Sequence, residues 1–236
     1  QIFEMAWAYV LCAISVGLNY YGILRKKTWA NIIGLLTMIW MFGTYQIYLV
    51  IYVATVIFCY LLLCIKWNKA KENMGLSKHV GLIAQLIIWF FIAFLVNTFI
   101  NFNWFSAGES YLNEQRYWGT GTNMQGVINI FNHIKRGVLG IGTFYTRFFG
   151  LSMLVMLGGS IYLIVRNKIK ISALFIMTVI ALQFMPFALT VYLGQEPIPR
   201  TQLVYPLILA FNIVYCNYFF NKRKIVKIVF IVTGTI

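Results

Sequence analysis

The chain has 236 residues, of which 61% are hydrophobic and only 10% are charged, and its formal net charge is +14. Soluble domains carry about 25% charged residues, so this chain has too few polar side chains to cover a water-facing surface. The composition excludes an ordinary soluble domain and predicts an all-α integral membrane protein with several spans. The positive charge does not indicate nucleic-acid binding, because membrane proteins concentrate Lys and Arg in cytoplasmic loops.

Apolar segments of spanning length follow one another along the sequence. A helix needs about 20 mostly apolar residues to cross the hydrocarbon core. We predict seven full spans and a partial eighth, at 5–24, 29–44, 46–65, 80–102, 143–165, 171–193, 203–220 and from 226 onward. A tight hairpin at Thr44, Tyr45 and Gln46 joins the second span to the third. Both ends of the sequence look cut, so we expect residues 1–236 to be a single transmembrane domain within a longer chain.

The basic residues predict the orientation of these spans. Four basic clusters, at 25–27, 66–78, 166–170 and 222–227, occur at every second connection. The positive-inside rule places these connections in the cytoplasm. The remaining basic residues then face the other side; they are Arg116, Lys135, Arg136, Arg147 and Arg200. Most glutamates also fall on or near that outer side, so we expect any chemistry to occur there.

The cysteines and histidines indicate neither a disulfide nor a metal site. All the cysteines lie in apolar runs or at their ends, which is typical of small packed residues; they are Cys12, Cys59, Cys64 and Cys216. The two histidines, His79 and His133, are predicted on opposite sides of the membrane, and neither has a neighbour at ligand spacing. We therefore expect no metal.

A long outer loop, 103–142, mixes aromatic residues with carboxylates. Tyr117 and Trp118 lie close in sequence to Glu109 and Glu114. Flat rings that stack on sugar faces, beside polar groups that bond hydroxyls, are typical of a sugar site. An interfacial aromatic belt explains the same pattern equally well. We predict Glu109 and Glu114 as candidate catalytic carboxylates, and Tyr117 and Trp118 as candidate sugar contacts.

The same loop contains a predicted amphipathic helix at about 127–136. Its apolar residues recur at helical spacing, and they are Val127, Ile130, Phe131 and Ile134. The opposite face holds Asn129, Asn132, His133 and Arg136. We expect His133, Lys135 and Arg136 at the level of the lipid headgroups. Such a helix is predicted to lie in the outer membrane interface. A solvated polar face is one interpretation of these residues, and a contact with a lipid-linked phosphate is another.

The segment GQEPIPRTQLVYP, at 194–206, places Glu196 and Arg200 between two apolar spans. The flanking Pro197 and Pro199 predict a short, rigid outer connection. Arg200 comes just before a predicted helix, whose first turn favours anions. We predict Arg200 as the main contact of a bound phosphate, with Arg147, Arg136 and Lys135 as further contacts. Glu196 is the third candidate catalytic carboxylate.

Two residues within or beside the spans are informative. Pro186 removes a backbone hydrogen bond from the sixth span, so it predicts a kink there. Glu4 is a carboxylate at the outer lip of the first span, where it faces either a water-filled cavity or the interface. We predict Glu4, Tyr45 and Gln46 as further candidate sugar contacts.

Several segments together resemble bacterial membrane glucosyltransferases of the GtrII type. GTYQIYLVIYVATVIFCYLL (43–62) is similar to the family's helix that begins with Tyr-Gln, and QIFEMAWAYVLCAISVGLNYYGILRKK (1–27) is similar to the helix before it. PRTQLVYPLILAF (199–211) resembles a late outer segment in which an arginine opens a helix. The resemblance covers most of the chain. Each motif is short, and their order and topology add weight to it.

The resemblance implies a GT-C-like helical fold and a sugar donor linked to polyprenyl phosphate, used on the outer face of the bacterial cytoplasmic (inner) membrane. It also implies transfer of glucose or a similar sugar to a surface polysaccharide or glycolipid. Enzymes of this class carry an essential acidic residue in an early outer loop. Because the chain has no aspartate and begins after such a loop, the principal catalytic carboxylate is expected outside the visible sequence.

We therefore predict a glycosyltransferase that needs no cofactor, with a lipid-linked donor, a glycan acceptor and membrane lipids as partners. An outer carboxylate would act as general base on the acceptor hydroxyl. Arginine would stabilise the departing phosphate. Three alternatives remain at this point: a polysaccharide polymerase or ligase, a transporter or flippase of lipid-linked glycans, and a structural subunit.

Overall fold

The computed structural model describes residues 2–45, 47–70, 75–104, 116–142, 144–167 and 172–220. No described residue lies in a strand, which agrees with the all-α prediction. The helices are α1 (Ile2–Arg25), α2 (Thr28–Thr44), α3 (Tyr48–Lys69), α4 (Leu76–Trp104), α5 (Asn123–Leu139), α6 (Arg147–Asn167), α7 (Ser172–Phe184), α8 (Ala188–Leu193) and α9 (Val204–Phe220). Short 3-10 turns occur at Met185–Phe187 and Pro199–Thr201.

Five described helical segments are long and apolar enough to cross a membrane. They are Phe3–Arg25, Tyr48–Asn68, Leu76–Trp104, Arg147–Arg166 and Ser172–Leu193. Two other predicted spans fall on shorter apolar helices, Thr28–Thr44 and Val204–Cys216. The chain is therefore a helical membrane protein. The exact number of spans stays a prediction, because the partial eighth lies outside the described residues.

The chain divides into two compact units. The first comprises Gln1–Cys59 and Lys69–Ser110, and the second comprises Tyr60–Asn68 and Tyr111–Ile236. Whether they count as one domain stays a prediction.

In the first unit, hydrogen bonds join different helices. Ser15 Oγ donates to the Gly34 carbonyl at 2.8 Å, and the Tyr48 hydroxyl donates to the Met5 carbonyl at 2.7 Å. The second bond places the start of α1 beside the α2–α3 hairpin, as alternating spans require.

In the second unit, amide side chains pair between helices. Gln183 Nε2 donates to Asn212 Oδ1 at 2.8 Å, and Asn212 Nδ2 donates back to Gln183 Oε1 at 3.0 Å. Asn212 Nδ2 also lies 3.1 Å from Ser152 Oγ on α6. Because no water satisfies polar groups within a bilayer, such reciprocal pairing favours close contact of α6, α7 and α9.

The predicted kink at Pro186 is confirmed. Helix α7 ends at Phe184, a 3-10 turn with proline in its first positions follows, and α8 begins at Ala188. The turn directs Phe187 toward α5, where its ring meets the His133 ring edge-on at 5.2 Å. A Cβ at Gly137 would lie 2.8 Å from Phe187 Cε1, so only glycine allows this approach of α5.

The predicted amphipathic helix is confirmed as α5, which is longer than expected. Thr122 caps it, accepting a hydrogen bond from the Gln125 amide at 3.4 Å, and Gly140 ends it in the left-handed region at φ 66°. Phe131 on its apolar side is 68% exposed, as expected of a surface that faces the membrane interface. The position of α5 at that interface stays a prediction.

The expected solvated position of His133 is wrong. His133 is 2% exposed and points into the second unit. Gly126 and Gly137 share this buried face with it, and they let α5 approach its neighbours closely. Helical spacing predicted His133 on the polar face. The same spacing also places it on one face with Gly126, seven residues earlier, and Gly137, four residues later.

Candidate functional site

Polar side chains from three segments of the second unit meet at one end of its helices. His133 and Arg136 lie on α5, Tyr145 lies just before α6, and Glu196 and Gln202 lie between α8 and α9. We call these five residues the Glu196 cluster. Arg136 Nη1 donates to Glu196 Oε2 at 2.6 Å, and the Tyr145 hydroxyl lies 2.6 Å from Glu196 Oε1. The carboxylate is therefore bound on both oxygens.

Tyr145 connects the carboxylate to the buried part of the cluster. Its hydroxyl lies 2.7 Å from Gln202 Oε1 and 2.7 Å from His133 Nε2. Gln202 Nε2 donates to the Pro197 carbonyl at 2.6 Å, which fixes the amide so that its oxygen faces Tyr145. On the other side of the imidazole, His133 Nδ1 lies 2.5 Å from Thr190 Oγ1. The chain of contacts runs from Glu196 to the core of the unit.

The Tyr145 hydroxyl has one hydrogen and faces two oxygen acceptors, Glu196 Oε1 and Gln202 Oε1. With an ionised Glu196, one of these oxygens faces the hydroxyl without a hydrogen between them. A proton on Glu196 Oε1 would supply a hydrogen for both contacts, because Glu196 would then donate to Tyr145 while Tyr145 donates to Gln202. The Tyr145 hydroxyl therefore donates to one of these two oxygens at a time.

Burial sets the charge of the groups around Glu196. It lowers the pKa of His133 below its ordinary value of 6.5; the Arg136 charge acts the same way and the Glu196 charge opposes it. Burial also raises the pKa of Tyr145, and the adjacent Glu196 raises it further. Both groups are therefore neutral near pH 7. The ion pair itself is accessible, since the Arg136 and Glu196 side chains are 46% and 29% exposed.

The turn that carries Tyr145 is held by Tyr205. The Tyr205 hydroxyl accepts from the Thr146 amide at 3.1 Å and lies 3.1 Å from the Gly137 carbonyl. Its ring meets the Tyr145 ring at 5.2 Å and stacks on Phe149 at 4.6 Å. These contacts join α5, the turn before α6 and the start of α9. The packing of these segments fixes the position of Tyr145.

Two of the predicted sugar contacts, Tyr117 and Trp118, lie at the same end of the second unit. The Tyr117 amide donates to the Leu193 carbonyl at 2.7 Å, and Trp118 Nε1 donates to the Val191 carbonyl at 2.9 Å. The indole fits against Gly194, where a Cβ would lie 2.8 Å from Trp118 Cε2. Trp118 thus anchors the preceding loop to α8, and sugar stacking on either ring stays a prediction.

The predicted phosphate contacts are distributed around the cluster. Arg136 belongs to it, and Lys135 is exposed beside it on α5. Arg147 is exposed at the start of α6, two residues after Tyr145. Arg200 lies in the 3-10 turn Pro199–Thr201 ahead of α9, and the structure does not describe its side chain. A phosphate contact by any of these residues stays a prediction.

The other predicted residues lie elsewhere. Glu109, Glu114 and Gln46 are outside the described residues. Glu4 is exposed in the first turn of α1, and Tyr45 follows α2, so both belong to the first unit. The structure places Glu196, one of the predicted carboxylates, in a cluster of polar side chains.

Sequence reasoning did not identify Tyr145, Gln202 or the buried role of His133. Gln202 lies two residues after Arg200 in a segment that was already singled out, so its amide was an available signal. The glycines around His133 were a second signal, because small residues on one helix face indicate close packing. Tyr145 gave no signal of its own, since aromatic residues are frequent throughout this sequence.

Comparison with known proteins gave one informative match. Neither curated proteins nor solved structures matched the chain. A family model described as glucosyl transferase GtrII matches residues 1–217, which is nearly the whole sequence. This confirms the resemblance that the sequence motifs indicated. The chain belongs to the GtrII glucosyl transferase family.

Proposed function

We propose that this protein transfers glucose from a polyprenyl-phosphate-linked donor to a cell-surface polysaccharide or glycolipid. Family membership supports glucosyl transfer, and the long apolar helices support a donor that resides in the bilayer. The reaction takes place on the outer face of the bacterial cytoplasmic membrane. The basic clusters at the opposite ends of the helices support that orientation through the positive-inside rule.

The Glu196 cluster carries the proposal. Glu196 acts as general base and takes the proton from the acceptor hydroxyl, whose oxygen forms a bond to the anomeric carbon of glucose. The bond from that carbon to the donor phosphate breaks, and polyprenyl phosphate leaves with the electron pair. The proton has a place on Glu196 Oε1, where the Tyr145 oxygen accepts it and the Tyr145 hydrogen turns to Gln202.

Arginine stabilises the negative charge that develops on the departing phosphate. Its planar group stays ionised and can bond two phosphate oxygens at once. Arg147 is exposed and makes no ion pair with any residue that the structure describes, so its charge is available. Arg200 adds a second positive charge from the turn that follows Glu196. Arg136 holds Glu196 Oε2 and leaves further N–H groups for the donor.

The test uses the full-length protein in lipid vesicles. Polyprenyl-phosphate-linked radiolabelled glucose is supplied together with surface polysaccharide from the source bacterium. We expect label to move to the polysaccharide, and Glu196→Gln to slow transfer at least about 100-fold. Asn132→Ala changes an exposed residue on the same helix as Arg136 and serves as the matched control, with transfer unchanged.

The products separate this proposal from its alternatives. Single glucose additions support it. Label in chains of increasing length would instead show a polymerase, and intact donor that crosses the bilayer without transfer would show a flippase. If Glu196→Gln transfers glucose at the wild-type rate, Glu196 is not the general base of the reaction.

A further inference from the structure

A groove runs beside the Glu196 cluster, between the end of α5 and the first turns of α6. Its volume is about 560 Å³, which is in the range of small-molecule sites. Apolar side chains line it from α5 and the turn after it, among them Val138, Leu139 and Ile141, and from α6, where Leu151 and Leu154 contribute. Leu154 is 64% exposed, so this apolar surface has no cover from the described part of the chain.

Close backbone contact forms the floor of the groove. Gly150 lies against the Val138 carbonyl, and a Cβ at Gly150 would collide with that oxygen. Gly140, in the left-handed conformation, ends α5 two residues after Val138. The chain then reverses direction within a few residues, so the start of α6 packs closely against the end of α5. The floor of the groove is therefore fixed by two packed helices, and the turn after Gly140 adds Ile141 to the lining.

One cation lines this groove. Arg147 belongs to the lining, is exposed, and makes no ion pair with any residue that the structure describes. It also begins α6, where the helix dipole favours an anion. An apolar channel with a cation at a helix start is complementary to a lipid that has a slender chain and a phosphate at its end.

The groove and the Glu196 cluster share one turn. Tyr145 belongs to the cluster and Arg147 to the groove, and two residues of chain span at most about 7 Å. Arg136 likewise approaches the turn, since a Cβ on Gly142 would lie 3.3 Å from Arg136 Nη2. A phosphate at Arg147 would thus lie near the turn that carries Tyr145 of the Glu196 cluster.

We propose that this groove binds the phosphate-proximal part of the isoprenoid chain of the donor, with the phosphate on Arg147. The proposal rests on the proposed function, because it assigns the donor of that reaction to a place on the protein. A single methyl-branched chain suits a narrow apolar groove lined by branched side chains. A two-chained glycerophospholipid would need a wider surface for the same phosphate position.

The experiment measures binding without any transfer. The full-length protein in phosphatidylcholine nanodiscs is photo-crosslinked to a polyprenyl phosphate that carries a diazirine near its phosphate, and the labelled peptides are mapped. We expect label within 138–154. Leu151→Trp and Leu154→Trp fill the groove and should each lower the yield by at least about tenfold, the loss expected when a few methylene groups lose their contacts.

Matched variants and competitors decide the outcome. Ile161→Trp makes the same kind of change at an exposed position farther along α6 and should leave the yield unchanged. Unlabelled polyprenyl phosphate should compete strongly, and polyprenol without phosphate should compete weakly. Arg147→Gln should remove that difference between the two competitors.

Two results of the crosslinking assay alone would overturn the proposal. One is equal competition by phosphatidylglycerol, which would make the groove an ordinary lipid-facing surface. The other is equal loss of label in Ile161→Trp. Because the assay contains no sugar and no acceptor, a failure of glucosyl transfer leaves its result unaffected. If Leu151→Trp transfers glucose at the normal rate and the crosslinked label maps outside 138–154, the groove is not the donor site. The proposed function would still stand in that case.

Discussion

Arg136 Nη1 and Glu196 Oε2 lie 2.6 Å apart, although 60 residues separate them in the sequence. Partly exposed ion pairs add little to stability, commonly about 0–1 kcal/mol. The main effect of this ion pair is therefore to hold the Glu196 carboxylate in position, and not to stabilise the fold. It fixes one carboxylate oxygen and directs the other at Tyr145. The predictions below concern groups that depend on that arrangement or on the helices that hold it.

Tyr145→Phe removes the hydroxyl that joins Glu196 to Gln202 and His133. We expect kcat for transfer to fall at least about tenfold, with KM nearly unchanged, because the proton gained by Glu196 loses its acceptor while the exposed surfaces stay intact. Stability should also fall by about 1–3 kcal/mol, since Gln202 and His133 lose a buried partner. Steady-state transfer kinetics and a melting curve in detergent measure the two effects.

Tyr205→Phe is the comparison for this variant, because it removes a hydroxyl that contacts the same turn from α9 and has no hydrogen bond to Glu196. It should lower the melting temperature and change kcat much less. If both variants lose the same fraction of kcat, the Tyr145 hydroxyl has only a structural effect, and the role given to it in proton transfer is wrong.

His133 makes stability depend on pH. Its pKa in the folded state lies below the ordinary 6.5, because burial disfavours the charged ring. Below about pH 6.5 the unfolded chain therefore takes up a proton that the folded chain refuses, so the free energy of unfolding falls as the pH falls. We expect the melting temperature to drop from about pH 7.5 to 5.5, and His133→Gln to flatten that dependence.

A direct titration checks the same prediction. The chain has only two histidines, so His79→Gln leaves His133 as the single imidazole for NMR. Its resonance should titrate below 6.5 in the folded protein. A midpoint at or above that value, or an unchanged melting profile in His133→Gln, would contradict the burial effect.

Much of the fold was predictable because a membrane helix follows from local composition. Each of the seven full predicted spans overlaps an apolar helical segment. Pro186 predicted the break in the sixth span, because proline acts on its own backbone. Glu196 and Arg136 were predictable as candidates, since charge is scarce in this chain. Their pairing was not, because it depends on the position of α5 relative to the α8–α9 connection, and nothing local to either segment encodes that.

The Gln183–Asn212 pair predicts a non-additive effect on stability. Asn212→Leu leaves the Gln183 amide without its partner inside the bilayer, so we expect a loss of about 1–3 kcal/mol. The double variant Gln183→Leu with Asn212→Leu removes both polar groups and should recover most of that loss. Melting temperatures in detergent test this, and a double variant no better than Asn212→Leu alone would show that the pair does not act as a unit.

The contact between Trp118 and Gly194 predicts a second non-additive effect. Gly194 has φ 74°, and a Cβ there would lie 2.8 Å from Trp118 Cε2. Gly194→Ala should therefore cost both backbone strain, about 1–3 kcal/mol, and a clash with the indole. Gly119→Ala isolates the strain, because Gly119 has φ 90° with nothing within 4 Å of a Cβ. Melting temperatures should fall further for Gly194→Ala than for Gly119→Ala.

A double variant separates the clash from the strain. Adding Trp118→Ala should recover part of the loss in Gly194→Ala and none of the loss in Gly119→Ala, because the indole contacts Gly194 while the position beside Gly119 is open. If Trp118→Ala lowers the melting temperature equally in both backgrounds, the indole does not restrict position 194, and the loop before α5 is anchored by its backbone bond to Leu193 instead.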